Sequence, residues 1–131
     1  MSKTTGLLKT LRLYRGYFYM ATPYSKHPRG KDAAYSEAME YLAAFTKNLI
    51  VCYSPIVHCH EMAKKYNLPT DHTFWTEYNA RMMEASCGGL FILMEGHNES
   101  EGMKQEREFY KIISKPSFDF TIGVDEDLEW L

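Results

Sequence analysis

The sequence predicts a single α/β domain built around a mostly parallel sheet. Three short apolar runs, residues 17–21, 49–53 and 89–93, are typical of buried strands. Stretches with apolar residues at helical spacing separate these runs along the chain. Strands that are buried on both faces and alternate with helices indicate a parallel sheet with right-handed crossovers. With 131 residues, the chain has room for one domain with a real core and little more.

Turn and capping residues bound the predicted elements. Thr22–Pro23, Ser54–Pro55 and Lys115–Pro116 each stop a strand or a helix, and Thr70 or Asp71 can cap another helix. The predicted order is a strand at 17–21, a helix at 32–48, a strand at 49–53, a short helix at 60–66, a helix from about 71 to 86, a strand at 89–93, a helix beginning near 100, and a last strand at 118–122.

Two terminal segments stand apart from this alternation. Residues 1–16 form an N-terminal extension, and the domain follows from 17 to 131. The extension is either a small amphipathic helix or an added edge strand, with the apolar residues Leu7, Leu8, Leu11 and Tyr14. The acidic residues 125–127, with Trp130, are expected at the surface or in a subunit contact.

The composition narrows the function classes. The hydrophobic fraction is 45%, so the chain should fold without disulfides. The net charge of −2 and the scattered Lys and Arg indicate no nucleic-acid-binding face. Cys52, Cys59 and Cys87 share no CxxC spacing and are typical of a reduced, intracellular protein. Since no signal peptide or membrane-length apolar run is recognised, we expect a soluble cytoplasmic protein with no membrane partner.

One carboxylate falls on the apolar side of a predicted helix. Gly102, Glu106, Phe109 and Ile113 share a stripe that should face the core, whereas the neighbouring charged residues fall on another side. Ser100 or Asn98 can cap this helix, and Gly102 lets another group approach its first turn. Glu106 is thus an acid removed from water near a helix start, and it either pairs with a hidden cation or does chemistry.

Polar loops should meet at one edge of the sheet. Residues 22–24, 54–55 and 96–102 all lie just beyond strand ends, where ligands bind in open parallel sheets. The loop 25–29, with Lys26 and Arg29, either binds a phosphate or is a solvated connector. Neither GxGxxG nor GxxxxGK[ST] occurs, so no nucleotide cofactor is expected.

Other candidate sites are weaker. His58, Cys59 and His60 suggest a metal, but alternate residues of an extended segment point to opposite sides and no second pair completes a site, so no metal is predicted. Phe74 and Trp75 are interpreted as core or subunit interface rather than as a stacking platform. Tyr19, judged alone, would be a core tyrosine with a bonded hydroxyl.

Four motifs in order resemble the nucleoside 2-deoxyribosyltransferase superfamily. They lie at residues 19–24, 53–56, 79–87 and 100–106, and the resemblance extends from about residue 17 to residue 116. It is strongest to a short branch with a YxAxPYS start, an SPIxHxH segment and LPTDxxFW. The resemblance implies a flavodoxin-like three-layer sandwich with about five strands. It also implies a homo-oligomer that cleaves the N-glycosidic bond of a (deoxy)nucleoside or nucleotide.

The resemblance assigns roles to individual residues. Glu106 matches the nucleophilic glutamate, and Tyr19 matches the tyrosine that orients it. Ser100 matches a position that is Asp in the transferases and Ser in relatives that hydrolyse deoxynucleoside monophosphates, which favours a 5′-monophosphate substrate. Asn79 stands where an Asp normally sits and cannot deliver a proton. The remaining substrate-binding positions implied are Thr22, Pro23 and Gly102.

The departure at Asn79 leaves two interpretations open. Either Asp71, Glu101 or a water supplies the proton for the leaving base, or the protein is a nucleotide-binding module that has lost turnover. The resemblance also implies subunit contacts, for which the sequence suggests the Trp75 helix with its apolar side chains Phe74, Trp75, Tyr78, Met82 and Met83.

Overall fold

Four parallel strands alternate with five helices in a computed structural model that describes residues 3–121, except for the side chains of residues 3–5 and His72. The predicted end of the last strand at Ile122 and the acidic tail lie outside these residues. The elements are α1 (Lys3–Arg12), β1 (Phe18–Ala21), α2 (Lys31–Lys47), β2 (Cys52–Tyr53), α3 (Pro55–Tyr66), α4 (His72–Ala85), β3 (Gly88–Ile92), α5 (Glu101–Ile113) and β4 (Ser117–Phe120), with a 3-10 turn at His97–Glu99 before α5.

The sheet has the order β2-β1-β3-β4, and every neighbouring pair is parallel. This confirms the α/β prediction and is consistent with a flavodoxin-like three-layer sandwich. The order reverses between β1 and β3, the point at which open sheets of this type bind ligands. The described residues hold four strands rather than the five or so that the resemblance implies. Of the two alternatives for the N-terminal extension, residues 3–12 form a helix, α1, and not an edge strand. Leu8 and Leu11 are buried against the core, at helical spacing.

Strand β2 is shorter than the predicted run of residues 49–53. Helix α2 ends in a Schellman turn, in which Ile50 N donates to Phe45 O and Leu49 N donates to Thr46 O. Leu49 takes the left-handed position of this turn, with φ of 62°. The strand prediction is therefore wrong for residues 49–51, because it rests on their apolar character alone. Ile50 packs in the core although it belongs to a turn, while Leu49 and Val51 are exposed.

The helices after β2 also differ in detail from the prediction. Helix α3 begins at Pro55 rather than near His60, because Ser54 caps it by accepting from Val57 N. Asp71 caps α4 as expected, by accepting from Phe74 N. On α5 the fully buried stripe is Met103, Glu106 and Tyr110, and the predicted members Gly102, Phe109 and Ile113 are only half-buried.

Side chains from the sheet form one core on each face. Phe18 and Met20 of β1 pack on the face covered by α1 and α2, and Tyr19 and Ala21 pack on the opposite face, toward α4 and α5. Gly89 of β3 allows α5 to approach this second face closely, since a Cβ there would lie 2.9 Å from the Tyr110 ring. The alternation of β1 thus places Tyr19 under the helix that carries Glu106.

Within residues 3–121, no helix combines the length and apolar character needed to cross a bilayer.

Candidate functional site

A cavity of about 140 Å³ opens beyond the carboxyl ends of the strands. The loops that follow β1, β2 and β3 meet here, as predicted, and the first turns of α3, α4 and α5 complete the wall. The residues that line it are Thr22, Tyr24, Ser25, Lys26, Pro55, Ile56, Cys59, Thr70, Asp71, Trp75, Asn79, Ser100, Glu101, Gly102 and Glu106.

Glu106 lies in the wall of this cavity and is only 6% exposed. Its Oε2 accepts a hydrogen bond from the Tyr19 hydroxyl, and its Oε1 has no protein partner among the described residues. Burial raises the pKa of Glu106 to about 7, and the hydrogen bond from Tyr19 opposes that rise. Since no cation of the described residues pairs with it, Glu106 has the environment of a reactive carboxylate rather than of a structural ion pair.

Tyr19 lies beneath the cavity and is fully buried. Its ring packs between Tyr53 on β2 and Tyr110 on α5, with centroid distances of 5.9 and 6.4 Å. Burial, together with the neighbouring charge of Glu106, raises the pKa of Tyr19 well above its ordinary value, so the hydroxyl keeps its proton. Because the ring is held on both sides, the hydroxyl can fix the orientation of Glu106.

The start of α5 forms one side of the cavity. The Ser100 side chain caps the helix by accepting from Met103 N at 3.2 Å, which leaves its own hydroxyl proton available to a ligand. The amides of Glu101 and Gly102 belong to the first turn and have no intrahelical acceptor. This turn can therefore donate several hydrogen bonds to an anion.

The polar residues on the other walls differ in their availability. Thr22 follows β1, and its buried Oγ1 has no hydrogen-bond partner within the described part of the chain. Pro23 is buried but does not line the cavity, so the structure does not bring this predicted substrate-binding residue into the site. Asn79 on α4 is buried and faces the cavity, where its amide can bind a ligand but not protonate it.

Two carboxylates that the sequence suggested as proton donors border the cavity. Asp71 uses Oδ1 to accept from Phe74 N at 2.8 Å. Glu101 is exposed and pairs with Lys104 at 3.4 Å. Each therefore has one carboxylate oxygen already hydrogen-bonded or ion-paired.

The loop after β1 carries two cationic side chains, Lys26 and Arg29, and only the first lines the cavity. Lys26 lines the cavity, whereas Arg29 pairs with Glu37 on the far side of the loop. Buried His27 holds this loop in place, with its Nδ1 accepting from Arg29 N and its Nε2 lying 3.2 Å from Glu37. A phosphate in the cavity would therefore meet Lys26 rather than Arg29.

The histidines on α3 have protein partners. His58 stacks on Tyr78 and lies 2.8 Å from its hydroxyl, while His60 bonds Tyr24 and Asp32. Among the residues that the structure describes, no group of three His, Cys, Asp or Glu side chains could hold a metal ion.

Sequence reasoning missed several residues of the cavity wall. Trp75 was interpreted as core or subunit interface. It is indeed buried, but it lines the cavity, with its Nε1 donating to Pro69 O at 2.8 Å. Ile56 was assigned to no element, and Pro55 was expected at this edge of the sheet but not at a helix start, although Pro directly after Ser is a signal for one. Tyr24 was expected in a loop at the same edge, without a role of its own.

Residues 16–121 match the sequence model of a family described as Domain of unknown function (DUF1937). The chain belongs to this family. The DUF1937 span covers every strand and every residue that lines the cavity, and it leaves α1 outside. No curated protein and no solved structure matches the chain. The function of this DUF1937 domain must therefore be argued from its own geometry.

Proposed function

We propose that this DUF1937 protein cleaves the N-glycosidic bond of a (deoxy)nucleoside 5′-monophosphate, with Glu106 as the nucleophile. The observation that carries the proposal is a buried carboxylate with one oxygen bonded to Tyr19 and the other unpaired in the wall of a cavity. A structural glutamate at this depth would have a cation or several donors to compensate for its burial.

The arrangement suits attack on a sugar carbon. Breaking the C1′–N bond develops positive charge at C1′, which a carboxylate stabilises and can then trap as a glycosyl ester. Because Tyr19 holds Oε2, attack falls to Oε1. The raised pKa of Glu106 means that the nucleophile is ionised only above about pH 7 in the free protein. Trp75, Pro55 and Ile56 provide an apolar wall against which a base can pack.

The 5′-phosphate has a complementary place at the start of α5. The Ser100 hydroxyl, the first-turn amides and Lys26 can all donate to an anion. An aspartate in place of Ser100 would put a negative charge at the same point. These features favour a monophosphate over a free nucleoside as substrate.

A second candidate is a nucleotide-binding module of the same fold without turnover. Asn79 favours it, because a buried amide at that wall can recognise a sugar hydroxyl or a base edge but has no proton to give. Such a protein would bind nucleotides through the same cavity.

The decisive experiment incubates the purified protein with a panel of nucleosides and 5′-monophosphates and measures released base. Wild-type protein should release base, and Glu106→Gln should reduce the rate by at least about a thousandfold while leaving the fold intact. Exposed Glu108→Gln, on the same helix and paired with Lys111, is the matched control and should match wild type. Nucleotide binding without release by wild-type protein would support the binding module instead.

A further inference from the structure

A chain of three hydrogen-bonded side chains leads from the cavity to the protein surface. Tyr24 borders the cavity, and its hydroxyl lies 2.6 Å from Nδ1 of His60. The other ring nitrogen of His60, Nε2, lies 2.8 Å from Oδ1 of Asp32. The Asp32 side chain is 78% exposed, so the chain connects cavity and solvent.

The histidine in the middle of this chain is firmly held. The side chain of His60 is only 3% exposed, and its ring stacks on Tyr35 with a centroid distance of 4.7 Å. Three elements supply the parts: the loop after β1 carries Tyr24, α2 carries Asp32 and Tyr35, and α3 carries His60. A histidine with a purely structural role also has its ring nitrogens hydrogen-bonded. The two partners of His60 are distinctive because one lines the cavity and the other is a solvated carboxylate.

We propose that Tyr24, reprotonated by His60 while Asp32 positions the imidazole, is the proton donor to the leaving base. The inference rests on the proposed function, because it supplies the acid that Asn79 cannot provide. Asp71 caps α4 and Glu101 belongs to a surface ion pair, and within the described part of the chain neither is hydrogen-bonded to a second, buried titratable side chain. Tyr24 is the cavity residue with a direct hydrogen bond to a buried histidine.

The charges along the chain favour this direction of proton transfer. The hydrogen bonds from His60 and then Lys64 lower the pKa of Asp32, so this carboxylate stays ionised and can stabilise a protonated imidazole. A protonated His60 donates from both nitrogens, to Asp32 and to the Tyr24 oxygen. The hydroxyl proton of Tyr24 is then free to point into the cavity. Burial, with Cys59 and Asp32 nearby, raises the pKa of Tyr24 to about 12, which keeps that proton in place at neutral pH.

Proton transfer through Tyr24 accompanies both halves of the reaction. An oxygen of Glu106 bonds to C1′ while the C1′–N bond breaks, and its electron pair passes to the base nitrogen. That nitrogen takes the proton of Tyr24, and the Tyr24 oxygen takes the Nδ1 proton of His60. When water then displaces Glu106 from C1′, its proton returns through Tyr24 to Nδ1, which restores the starting state. Throughout, Asp32 accepts the hydrogen bond from the Nε2–H group of His60 and acts as a positioning residue.

A comparison of leaving groups tests the role of Tyr24. If wild-type protein releases a purine, the pair is deoxyguanosine monophosphate and its N7-methyl form, whose base departs without needing a proton. If it releases a pyrimidine, the pair is deoxyuridine monophosphate and its 5-fluoro form, whose base is a better leaving group. Tyr24→Phe should slow kcat for the poor leaving group by about a hundredfold and for the activated one by about threefold or less, at similar KM.

Two further variants separate proton transfer from loss of structure. Asp32→Asn, at an exposed position, should slow the poor leaving group roughly tenfold and spare the activated one. Tyr66→Phe removes a hydroxyl from an exposed tyrosine at the far end of α3 and should match wild type on both substrates.

These measurements separate failure of the proposed role of Tyr24 from failure of the glycosidase proposal itself. Equal slowing of both substrates by Tyr24→Phe, while Glu106→Gln abolishes both, would overturn the role of Tyr24 and keep the glycosidase. If wild-type protein cleaves neither member of either pair, the glycosidase proposal falls, and the proton donor falls with it.

Discussion

Two opposing effects act on the ionisation of Glu106. Removal from water favours its neutral form, and the hydrogen bond from Tyr19 favours its charged form, with the net pKa at about 7. An unfolded glutamate ionises near 4.5. Between these two values the unfolded chain has lost a proton that the folded chain still holds, so the free energy of unfolding falls as pH rises from about 4.5 to about 7 and then levels off.

The first prediction is that Glu106→Gln stabilises the protein at high pH. The amide can still accept from Tyr19 and removes the cost of a buried charge, so the free energy of unfolding should rise by up to about 3 kcal/mol at pH 8. The gain should shrink toward zero near pH 4.5. Urea denaturation followed at both pH values measures it, with exposed Glu108→Gln as the surface control. A pH-independent difference would mean that Glu106 is not the buried acid described here.

The second prediction concerns the pH at which base release begins. Tyr19→Phe removes the hydrogen bond that lowers the pKa of Glu106, so the rise of kcat with pH should move to higher pH. Loss of orientation should also slow kcat roughly ten- to a hundredfold at the plateau, with KM little changed. A pH profile of both proteins checks this, and an unshifted profile would contradict the assigned hydrogen bond.

The sequence predicts this pair of residues and several residues of the cavity wall, but not the side-chain contacts behind that wall. Helical spacing places Glu106 on the inner side of α5, and the period of two along β1 assigns Tyr19 to one face. The resemblance named both residues, and the structure brings them into hydrogen-bond contact. The path from Tyr24 through His60 to Asp32 joins residues 36 and 28 positions apart, and no local pattern encodes such contacts.

At the scale of single elements, the N-terminus of α5 combines capping with ligand recognition. Ser100 accepts from Met103 N and still has a proton to donate toward the cavity. Substitutions there can therefore change charge while keeping the cap, because Asp and Asn are also strong N-cap residues.

The third prediction concerns a negative charge introduced at the N-cap of α5. Ser100→Asp should raise KM for a 5′-monophosphate roughly ten- to a hundredfold through repulsion of the phosphate, and should change KM for the free nucleoside little. Ser100→Asn has nearly the same shape without the charge and is the matched control. Steady-state kinetics on both substrates measures the effect. Equal losses on the two substrates would place the phosphate elsewhere.

Element boundaries were predictable where caps are explicit. Asp71 before α4 and Ser100 before α5 both start their helices as the sequence suggests. The failure at residues 49–51 has a physical cause, since a Schellman turn with a non-glycine residue at the left-handed position has no composition signal. Residues 1–16 were ambiguous because three leucines fit either a helix face or an edge strand, and packing against the core decides for α1.

At the scale of the whole molecule, the exposed surface of α4 bears on whether the protein forms an oligomer. Trp75 and Met83 are buried within the protomer and are not available for contacts, whereas Phe74 is 51% and Tyr78 is 42% exposed. Exposed aromatic side chains beside a cavity are typical of interaction surfaces.

The fourth prediction is that the protein is a homo-oligomer in which Phe74 and Tyr78 are buried between subunits. Light scattering at micromolar concentration should report a mass above that of the 15.3 kDa chain, and Phe74→Glu should lower it. Ile112→Glu, at an exposed apolar position on α5, is the matched control and should leave the mass unchanged. A monomeric wild-type protein would refute the prediction.

Gly89 sets how closely the helix that carries Glu106 approaches the sheet that carries Tyr19. The hydrogen in place of a side chain allows Tyr110 to rest against β3, and Tyr110 lies one turn beyond Glu106 on the same helix. A single methyl group at Gly89 would lie 2.7 Å from the Phe91 ring and 2.9 Å from the Tyr110 ring, and relief of the second contact would push the helix outward from the sheet. Tyr19 belongs to the sheet and Glu106 to the helix, so the gap between their oxygens would widen. The contact between this carboxylate and its tyrosine thus depends on a backbone position that does not line the cavity.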